Sequence, residues 1–246
     1  MDPLAGKAVL VTGGSRGIGA AVAVRLAQDG ADVGLTYLRA EDRAQQVVRR
    51  ITTLGRRCLA VPADSGDPAA LAAAVDRVAA EYGRLDILVN NAGVFPYGPI
   101  EETSIEDVDR ALAVHVRGVF VAAKAALGHM GHGGRIINIG SCFVDRVPYP
   151  GLSLYAMSKS ALVGLTRALA RDLGPRGITV TVVHPGSTDT EMNPADGESA
   201  DVERGYIALG RYAEPDEIAA TVAHLAGPGG RYITGASIAV DGGFAA

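Results

Sequence analysis

The sequence has 246 residues, 48% of them hydrophobic, and a formal net charge of -4 at pH 7, which suits one large domain and gives no electrostatic basis for binding nucleic acid or an anionic membrane. No run of about 18 apolar residues predicts a transmembrane span, and the N-terminus has no signal-peptide pattern. The two cysteines form neither a disulfide framework nor a metal-ligand spacing, so we expect a reduced, cytoplasmic protein without a bound metal.

Short β-branched runs alternate with longer amphipathic segments along the chain. The strand candidates are, in order, KAVLVTG, DVGLTY, CLAVPAD, LDILVNNA, GRIINIG, ITVTVVHPG and ASIAVDGG, and helices are predicted over 17–29, 41–54, 67–82, 104–130, 153–173 and 214–226. Because nearly continuous apolar strands separated by helices are typical of parallel sheets, we predict one doubly wound α/β domain over residues 1–246, with seven strands and helices on both faces. A polar segment at about 187–213 interrupts this rhythm and predicts a substrate-binding loop.

The first predicted strand leads into a glycine-rich turn, TGGSRGIG, in which Gly13, Gly17 and Gly19 surround the start of a predicted helix. Glycine tightens such a turn and lets the backbone approach a phosphate, whose charge is favoured at a helix N-terminus. A glycine cluster alone is a plain turn about as often as it is a nucleotide-binding turn. Its place between the first strand and the first helix favours a nucleotide-binding site.

The end of the second predicted strand indicates which nucleotide would bind. NAD-binding proteins usually carry an acidic residue there to hold the ribose 2′-hydroxyl, but this sequence has Tyr37 and Leu38, followed by Arg39. Arg16 lies in the glycine turn, and two guanidiniums without a carboxylate suit a 2′-phosphate. Each arginine alone is compatible with simple solvation. Together they favour NADPH or NADP+ over NADH.

A tyrosine and a lysine stand four residues apart near the start of the helix predicted over 153–173. Tyr155 and Lys159 should therefore lie on one face, one turn apart. Only three of the 23 basic residues are lysine, so an ordinary surface contact does not explain this choice. Hydride transfer to a ketone leaves an alkoxide that needs a proton donor, and a nearby ammonium is expected to lower the pKa of a phenol. The pair predicts acid–base catalysis.

Five motifs occur in order: TGGSRGIG at 12–19, Asp64 after the third strand, NNAG at 90–93, YAMSK at 155–159 and HPGSTDT at 184–190. With this set the chain resembles the short-chain dehydrogenase/reductase family over essentially its whole length. The resemblance implies a Rossmann fold, a homotetramer, and a small carbonyl or alcohol substrate. Together with the glycine turn and the second strand, it indicates cofactor-binding roles for Gly13, Ser15, Arg16, Gly17, Ile18, Gly19, Tyr37, Arg39, Ala63, Asp64, Asn90, Ala92, Gly93, Tyr155, Lys159, Pro185, Gly186, Thr188 and Thr190.

The candidate donor to the carbonyl oxygen is Ser141, at the end of the fifth predicted strand. It precedes Tyr155 by 14 residues, one more than the family usually has. Ser153 is nearer to the tyrosine but is expected to cap the helix, and Cys142 is expected to be a packed thiol rather than a nucleophile.

The family's relay asparagine, on the helix after the fourth strand, is replaced here by His115. An imidazole can hold the same water and also titrates near neutral pH, so His115 is predicted to act in the proton relay. The alternatives are an impaired relay or a protein that binds the nucleotide without catalysis. If His115 acts in the relay, the pH dependence of kcat should contain an ionisation that a His115→Asn variant lacks.

Six of the 12 aromatic residues fall in segments expected at the catalytic edge. With four other apolar residues they predict a pocket for a ketone or aldehyde of moderate size. The ten residues are Phe95, Pro96, Tyr97, Phe143, Val144, Tyr149, Leu152, Tyr155, Met192 and Tyr206.

The leading prediction is an NADPH-dependent carbonyl reductase, and three other functions stay open. A 3-oxoacyl-[acyl carrier protein] reductase needs a basic rim, where Arg176 is available but Gly128 and His132 stand in nearby places. An NAD-dependent alcohol dehydrogenase is opposed by the missing acid after the second strand. A non-catalytic NADP(H)-binding sensor is opposed by the retained Tyr155 and Lys159.

Overall fold

A single seven-stranded sheet forms the centre of the computed structural model, which describes residues 2–246. Its strands are β1 (Ala8–Val11), β2 (Asp32–Tyr37), β3 (Cys58–Pro62), β4 (Ile87–Asn90), β5 (Arg135–Ile139), β6 (Thr179–Pro185) and β7 (Ser237–Val240). They lie in the order β3-β2-β1-β4-β5-β6-β7, and every neighbouring pair is parallel. The order reverses between β1 and β4, which opens a crevice beyond their carboxyl ends. The predicted doubly wound Rossmann fold is confirmed.

Helices cover both faces of this sheet. They are α1 (Gly17–Gln28), α2 (Glu41–Thr53), α3 (Pro68–Tyr82), α4 (Ile105–Leu112), α5 (Val119–Ala126), α6 (Ser153–Leu173), α7 (Ala200–Arg204) and α8 (Pro215–Ala226). The continuous helix predicted over 104–130 is instead α4 and α5 joined by a π-helical segment, Ala113–Gly118. Ser153 is the first residue of α6 and Leu152 occupies the cap position, so the predicted capping role of Ser153 is wrong.

Alternate side chains of β1 enter two cores on opposite faces of the sheet. Val9 and Val11 pack with α1, α2 and α8, whereas Ala8 and Leu10 pack with α3 and α5. Strands buried on both faces need apolar residues at nearly every position, which explains the unbroken apolar runs in the sequence. The buried sheet is a fixed platform, and the segments that follow its carboxyl ends carry the candidate site.

Candidate functional site

The glycine turn between β1 and α1 leaves its backbone open to a ligand. Gly13 and Gly17 have φ angles of 64° and 51°, which favour glycine. A side chain at Gly13 would lie 2.9 Å from Ala92 Cα, and one at Gly19 would lie 2.4 Å from the Gly13 carbonyl oxygen. Helix α1 begins without a capping side chain and without an acidic residue in its first turn. Its first N–H groups are therefore available to an anion.

A cleft of about 1070 Å³ extends from this turn across the carboxyl ends of the strands. Ser141 and all but one of the predicted cofactor-binding residues line it. These residues are Gly13, Ser15, Arg16, Gly17, Ile18, Gly19, Tyr37, Arg39, Ala63, Asp64, Ala92, Gly93, Tyr155, Lys159, Pro185, Gly186, Thr188 and Thr190.

The exception is Asn90, which is buried at the end of β4 and does not line the cleft. Its Nδ2 donates to Asn138 Oδ1 at 2.9 Å. The next residue, Asn91, lines the cleft, and its Nδ2 donates to the carbonyl oxygens of Thr12 and Gly13 at 3.0 and 3.1 Å. Asn91 rather than the predicted Asn90 therefore lines the cleft, because Asn90 still belongs to the strand and turns its amide toward β5.

The two arginines expected to bind a 2′-phosphate differ in their partners. Arg39 lines the cleft, and its guanidinium forms no ion pair within residues 2–246. Arg16 donates to Glu191 of the 187–213 loop at 3.3 Å, and Glu191 also pairs with Arg43. The outer end of the cleft therefore offers one free guanidinium and two that a loop carboxylate holds.

Asp64, which the family resemblance assigned to the cofactor site, is also held by an arginine. Its Oδ2 accepts a hydrogen bond from Arg110 Nη1 at 2.9 Å, and its Oδ1 accepts one from the Gly66 N–H at 2.8 Å. The bond from Arg110 keeps the pKa of this carboxyl below its usual value. Asp64 is therefore an ionised acceptor at neutral pH.

Tyr155 and Lys159 lie on the first two turns of α6, with Lys159 buried and Tyr155 partly exposed to the cleft. Lys159 Nζ is 5.9 Å from the centroid of the Tyr155 ring and donates to the Ile139 carbonyl at 2.9 Å. Ser141 follows β5 and lines the same end of the cleft. The three predicted catalytic side chains therefore meet in one place.

The pKa values of this pair differ from the expectation. Burial raises the pKa of Tyr155 to about 12, and the Ser141 hydroxyl offsets part of the rise. Burial lowers the pKa of Lys159 to about 8. The expected lowering of the phenol's pKa is thus wrong here, because burial disfavours the charged phenolate and only the hydrogen bond with Ser141 acts against this rise. A phenol with this raised pKa is protonated at neutral pH, as a proton donor must be.

His115 is buried beneath the site with both ring nitrogens engaged. The Val94 N–H donates to Nε2 at 3.0 Å, so Nδ1 carries the proton and donates to Ser158 Oγ at 2.8 Å. Ser158 Oγ in turn donates to the Tyr155 carbonyl at 2.8 Å. Burial, aided by the charge of Lys159, lowers the pKa of His115 to about 3. The predicted titration of His115 near neutral pH is therefore wrong, and the neutral ring connects the segment after β4 to the start of α6.

We expect His115→Asn to leave the pH dependence of kcat unchanged between about pH 5 and 9, because neither side chain titrates in that range. The shorter amide cannot span Val94 and Ser158, so the variant should unfold at a lower temperature near neutral pH. The folded-state pKa lies below the ordinary value, so the wild type loses stability as the pH falls from 6.5 toward 3. Melting curves at about pH 5 and 7.5 should show that the difference in unfolding temperature between the wild type and His115→Asn is smaller at the lower pH. An equal difference at both pH values would contradict this account.

Lys159 is a buried cation that forms no salt bridge within residues 2–246. We expect Lys159→Met to raise the free energy of unfolding at pH 7 by on the order of 1–3 kcal/mol, because it removes an unpaired buried charge. Between pH 8 and 10.5 the lysine of the unfolded chain binds more protons than that of the folded chain, so the stability of the wild type rises with pH. The difference in free energy of unfolding between Lys159→Met and the wild type should therefore shrink over this range. Urea unfolding at about pH 7 and 9.5 measures both effects. Lys124→Met, at an exposed position of α5, is the control and should show neither.

Ser141 is held by a residue that the sequence did not single out. Its N–H donates to Nδ1 of His184 at 3.2 Å, and His184 is buried on β6. The Ser141 hydroxyl oxygen also accepts a bond from the Phe143 N–H at 3.3 Å. Burial raises the pKa of the neighbouring Cys142 thiol to about 12, so its predicted role as a packed thiol is confirmed. Only the place of His184 on a strand beside β5 could have suggested its contact with Ser141.

The 187–213 loop is organised around Glu203, a buried carboxylate on α7 that the sequence analysis also missed. Glu203 Oε2 accepts bonds from Ser187 Oγ at 2.6 Å and from Asn193 Nδ2 at 2.9 Å. Thr188 and Ala213 pair where the loop leaves and rejoins the domain. These contacts close the loop on itself and place it along one side of the cleft.

Aromatic rings surround Tyr155. The centroids of Phe95 and Phe143 lie 4.8 and 6.1 Å from that of Tyr155. Phe143 contacts Tyr149 at 5.8 Å, and Tyr149 contacts Tyr206 at 6.0 Å. Of the ten predicted pocket residues, those that line the cleft are Phe95, Phe143, Tyr149, Tyr155 and Met192, whereas Pro96, Tyr97, Val144, Leu152 and Tyr206 lie outside its lining.

Residues 2–246 hold no group of three or more His, Cys, Asp or Glu side chains arranged to bind a metal ion. They also contain no helix with the length and apolar character needed to cross a membrane.

Comparisons with known proteins show the family to which this chain belongs. Residues 13–245 match a family model described as enoyl-(acyl carrier protein) reductase. A short-chain dehydrogenase from Burkholderia cenocepacia J2315, solved in complex with NADP, is 58% identical with a TM-score of 0.98, covering 99% of this chain and 100% of that one.

Two other relatives carry different names. A blue fluorescent protein from a metagenomic library, solved with NADPH, is 54% identical with a TM-score of 0.97, covering 99% of this chain and 100% of that one. The cyclic-di-GMP-binding biofilm dispersal mediator protein of Escherichia coli (strain K12) is 44% identical and covers 100% of both chains. From the matched family model, these identities and the shared fold, the chain belongs to the short-chain dehydrogenase/reductase family.

Proposed function

We propose that this protein is an NADPH-dependent reductase of ketones or aldehydes. The observation that carries the proposal is the meeting of Tyr155, Lys159 and Ser141 at the inner end of a cleft whose outer end is a glycine turn. A nucleotide fitted to the turn would extend along the cleft toward the tyrosine. The retained proton donor argues for turnover rather than for nucleotide binding alone.

The cleft suits the nucleotide at both ends. At the outer end, the uncapped start of α1 and the unpaired guanidinium of Arg39 fit phosphate groups. At the inner end, Lys159 can donate to ribose hydroxyls, and Pro185, Gly186, Thr188 and Thr190 line the wall. Bound NADPH would supply the hydride, and the positions of Arg16 and Arg39 favour its 2′-phosphate over NADH.

The protein's own residues would handle the substrate oxygen. Ser141 would donate a hydrogen bond to the carbonyl oxygen and hold it beside Tyr155. As negative charge develops there, the Tyr155 phenol would transfer its proton to the oxygen. An alkoxide is a far stronger base than a phenolate, so even a phenol with a pKa of about 12 favours this transfer. In the proposed reduction the phenol therefore begins protonated and ends as the phenolate.

A narrower proposal, a 3-oxoacyl-[acyl carrier protein] reductase, has weaker support. It needs basic side chains free at the rim for an acidic carrier. Arg176 uses Nη2 to donate to the carbonyls of Leu127 and Met130 at 3.0 and 2.7 Å. Arg176 is therefore partly engaged within the chain, and a single arginine is a weak basic rim, so we favour a small carbonyl compound.

A second candidate function is binding of a cyclic dinucleotide, which the name of the Escherichia coli relative suggests for this chain. Arg39 and the arginines held by Glu191 could bind its phosphates at the mouth of the cleft. Titration calorimetry with cyclic-di-GMP, with and without NADPH, distinguishes the two candidates. If cyclic-di-GMP binds at micromolar concentrations and competes with NADPH, binding of a cyclic dinucleotide would be the favoured function.

The homotetramer that the family resemblance implied remains part of the proposal. Apolar side chains that are exposed in the single chain support it, namely Leu112, Phe120 and Met157 on α4, α5 and α6. These are the helices expected to contact other subunits. Light scattering of the purified protein measures the number of copies.

The direct test of the proposed function follows oxidation of NADPH and NADH against ketones, aldehydes and 3-oxoacyl thioesters. Because a relative was solved as a blue fluorescent protein with NADPH, cofactor binding should also be measurable from NADPH fluorescence. We expect turnover with NADPH and a small carbonyl compound. Tight NADPH binding with no turnover across the panel would contradict the reductase proposal.

A further inference from the structure

A second, smaller cavity of about 160 Å³ lies at the opposite edge of the sheet from the cleft. It is formed where β1, β4 and β5 begin, together with the segment that follows α8. Four of its lining residues carry charge, namely Lys7, Asp86, Arg135 and Arg231. The three cations and one carboxylate come from four separate parts of the chain.

The single carboxylate in this cavity is already fully used. Asp86 Oδ1 accepts bonds from Lys7 Nζ at 3.0 Å and from Arg84 Nη2 at 2.6 Å. Its Oδ2 accepts bonds from Arg84 Nε at 2.7 Å and from the Ala8 N–H at 3.0 Å. Two cations therefore neutralise Asp86, and its charge is not available to the remaining arginines.

Arg135 is the first residue of β5 and only 8% exposed. Its Nη1 donates to the carbonyls of Gly133 and Gly134 at 2.7 and 2.9 Å, while its buried Nε has no hydrogen-bond partner within residues 2–246. Neither Arg135 nor Arg231 forms a salt bridge with a carboxylate of that part of the chain. The positive charge of Arg231 acts on Arg135 strongly enough to lower its pKa, in addition to the lowering by burial.

The buried guanidinium of Arg135 has no counter-charge, which is unfavourable, and repulsion by the exposed guanidinium of Arg231 adds to this cost. The physical remedy is an anion between them. The cavity volume equals that of roughly five liquid waters at about 30 Å³ each, which is enough for a tetrahedral oxyanion. Guanidinium groups bind such ions through paired, charge-assisted hydrogen bonds.

We propose that this cavity is a binding site for a phosphate-sized oxyanion, held by Arg135 and Arg231. The site is separate from the cleft and does not depend on the proposed reductase activity. Free phosphate and the terminal phosphoryl group of a small monoester share the required chemistry, and the cavity is too small for a nucleotide.

The test is thermal unfolding of the full chain with the cleft saturated by NADP+, so that phosphate cannot act at the cofactor site. Inorganic phosphate or sulfate at millimolar concentrations should raise the unfolding temperature by a few degrees, because a ligand that binds only the folded state stabilises it. Sodium chloride at equal ionic strength should not. Glycerol 3-phosphate distinguishes the two sources, because a shift equal to that with phosphate assigns the site to monoesters as well. An equal effect of chloride and phosphate would overturn the proposal.

Two substitutions at exposed Arg231 sharpen the test. Arg231→Gln should weaken phosphate binding, measured by calorimetry, about tenfold or more, since it removes a charge-assisted contact. Arg50→Gln, which removes an exposed arginine from α2, is the matched control and should bind as the wild type does. Arg231→Glu places a carboxylate beside Arg135, so it should raise the unfolding temperature without phosphate and abolish the phosphate shift. Unchanged phosphate binding in both Arg231 variants would also overturn the proposal.

Discussion

Replacing Tyr155 with phenylalanine is expected to lower kcat for carbonyl reduction by about a thousandfold or more while NADPH still binds. The substitution removes only the phenolic oxygen of the tyrosine that lines the inner end of the cleft beside Lys159, and this oxygen is the proposed proton donor. General acid catalysis typically accounts for factors of about 10² to 10⁴. The Phe95 and Phe143 rings that pack against Tyr155 can keep the same contacts with phenylalanine. The measurement is steady-state NADPH oxidation, with binding followed by nicotinamide fluorescence.

Tyr149→Phe is the matched control for this experiment. Tyr149 lines the same cleft and also packs against Phe143, but lies further along the row of rings. Its loss of a hydroxyl should change kcat by no more than a few fold. If the two variants lost activity equally, or if Tyr155→Phe kept a tenth of it, the assigned proton donor would be wrong. Failure of Tyr155→Phe to bind NADPH would instead indicate a structural role.

The second large effect is expected at the end of β2. The double variant Leu38→Asp/Arg39→Leu should lower the ratio of kcat/KM for NADPH to that for NADH by about a hundredfold. It removes an unpaired guanidinium from the cleft and places a carboxylate where a 2′-hydroxyl, but not a 2′-phosphate, is acceptable. Leu38 is 51% exposed, so an aspartate there disturbs no core packing.

Arg50→Gln again supplies the control, because it removes a cation of the same region from outside the cleft. Its NADPH to NADH ratio should match the wild type. A double variant whose ratio stays within about threefold of the wild type would mean that Arg39 does not contact the cofactor. The preference for NADPH would then depend on Arg16, which would have to leave Glu191 and bind the 2′-phosphate instead.

The fold and the proximity of the proposed catalytic residues could be predicted from the sequence for specific physical reasons. Doubly buried parallel strands need unbroken apolar runs such as the one that β1 shows, and a phosphate-binding turn needs glycine where a side chain would collide. Tyr155 and Lys159 are four residues apart on one helix, so their proximity follows from helical geometry alone.

The errors arose where function depends on packing between distant segments. No local pattern indicates that Asn90 turns toward β5 while Asn91 faces the cleft. The burial that lowers the pKa of His115 and raises that of Tyr155 comes from several elements at once. Glu203 looked like one more charge in a polar loop, and only the folded chain brings Ser187 and Asn193 to it.

The π-helical segment Ala113–Gly118 makes the site sensitive to the length of the chain at this point. A turn closed by i→i+5 bonds holds one residue more than an α-helical turn. Deleting that residue would restore the ordinary repeat but rotate α4 by about 100° relative to α5. Arg110 would then leave Asp64, or His115 would leave Val94. A surface loop would tolerate the loss of one residue, but here the deletion should break a contact at one end of the cleft. The number of residues in the π-helical segment is therefore itself a requirement of the folded site.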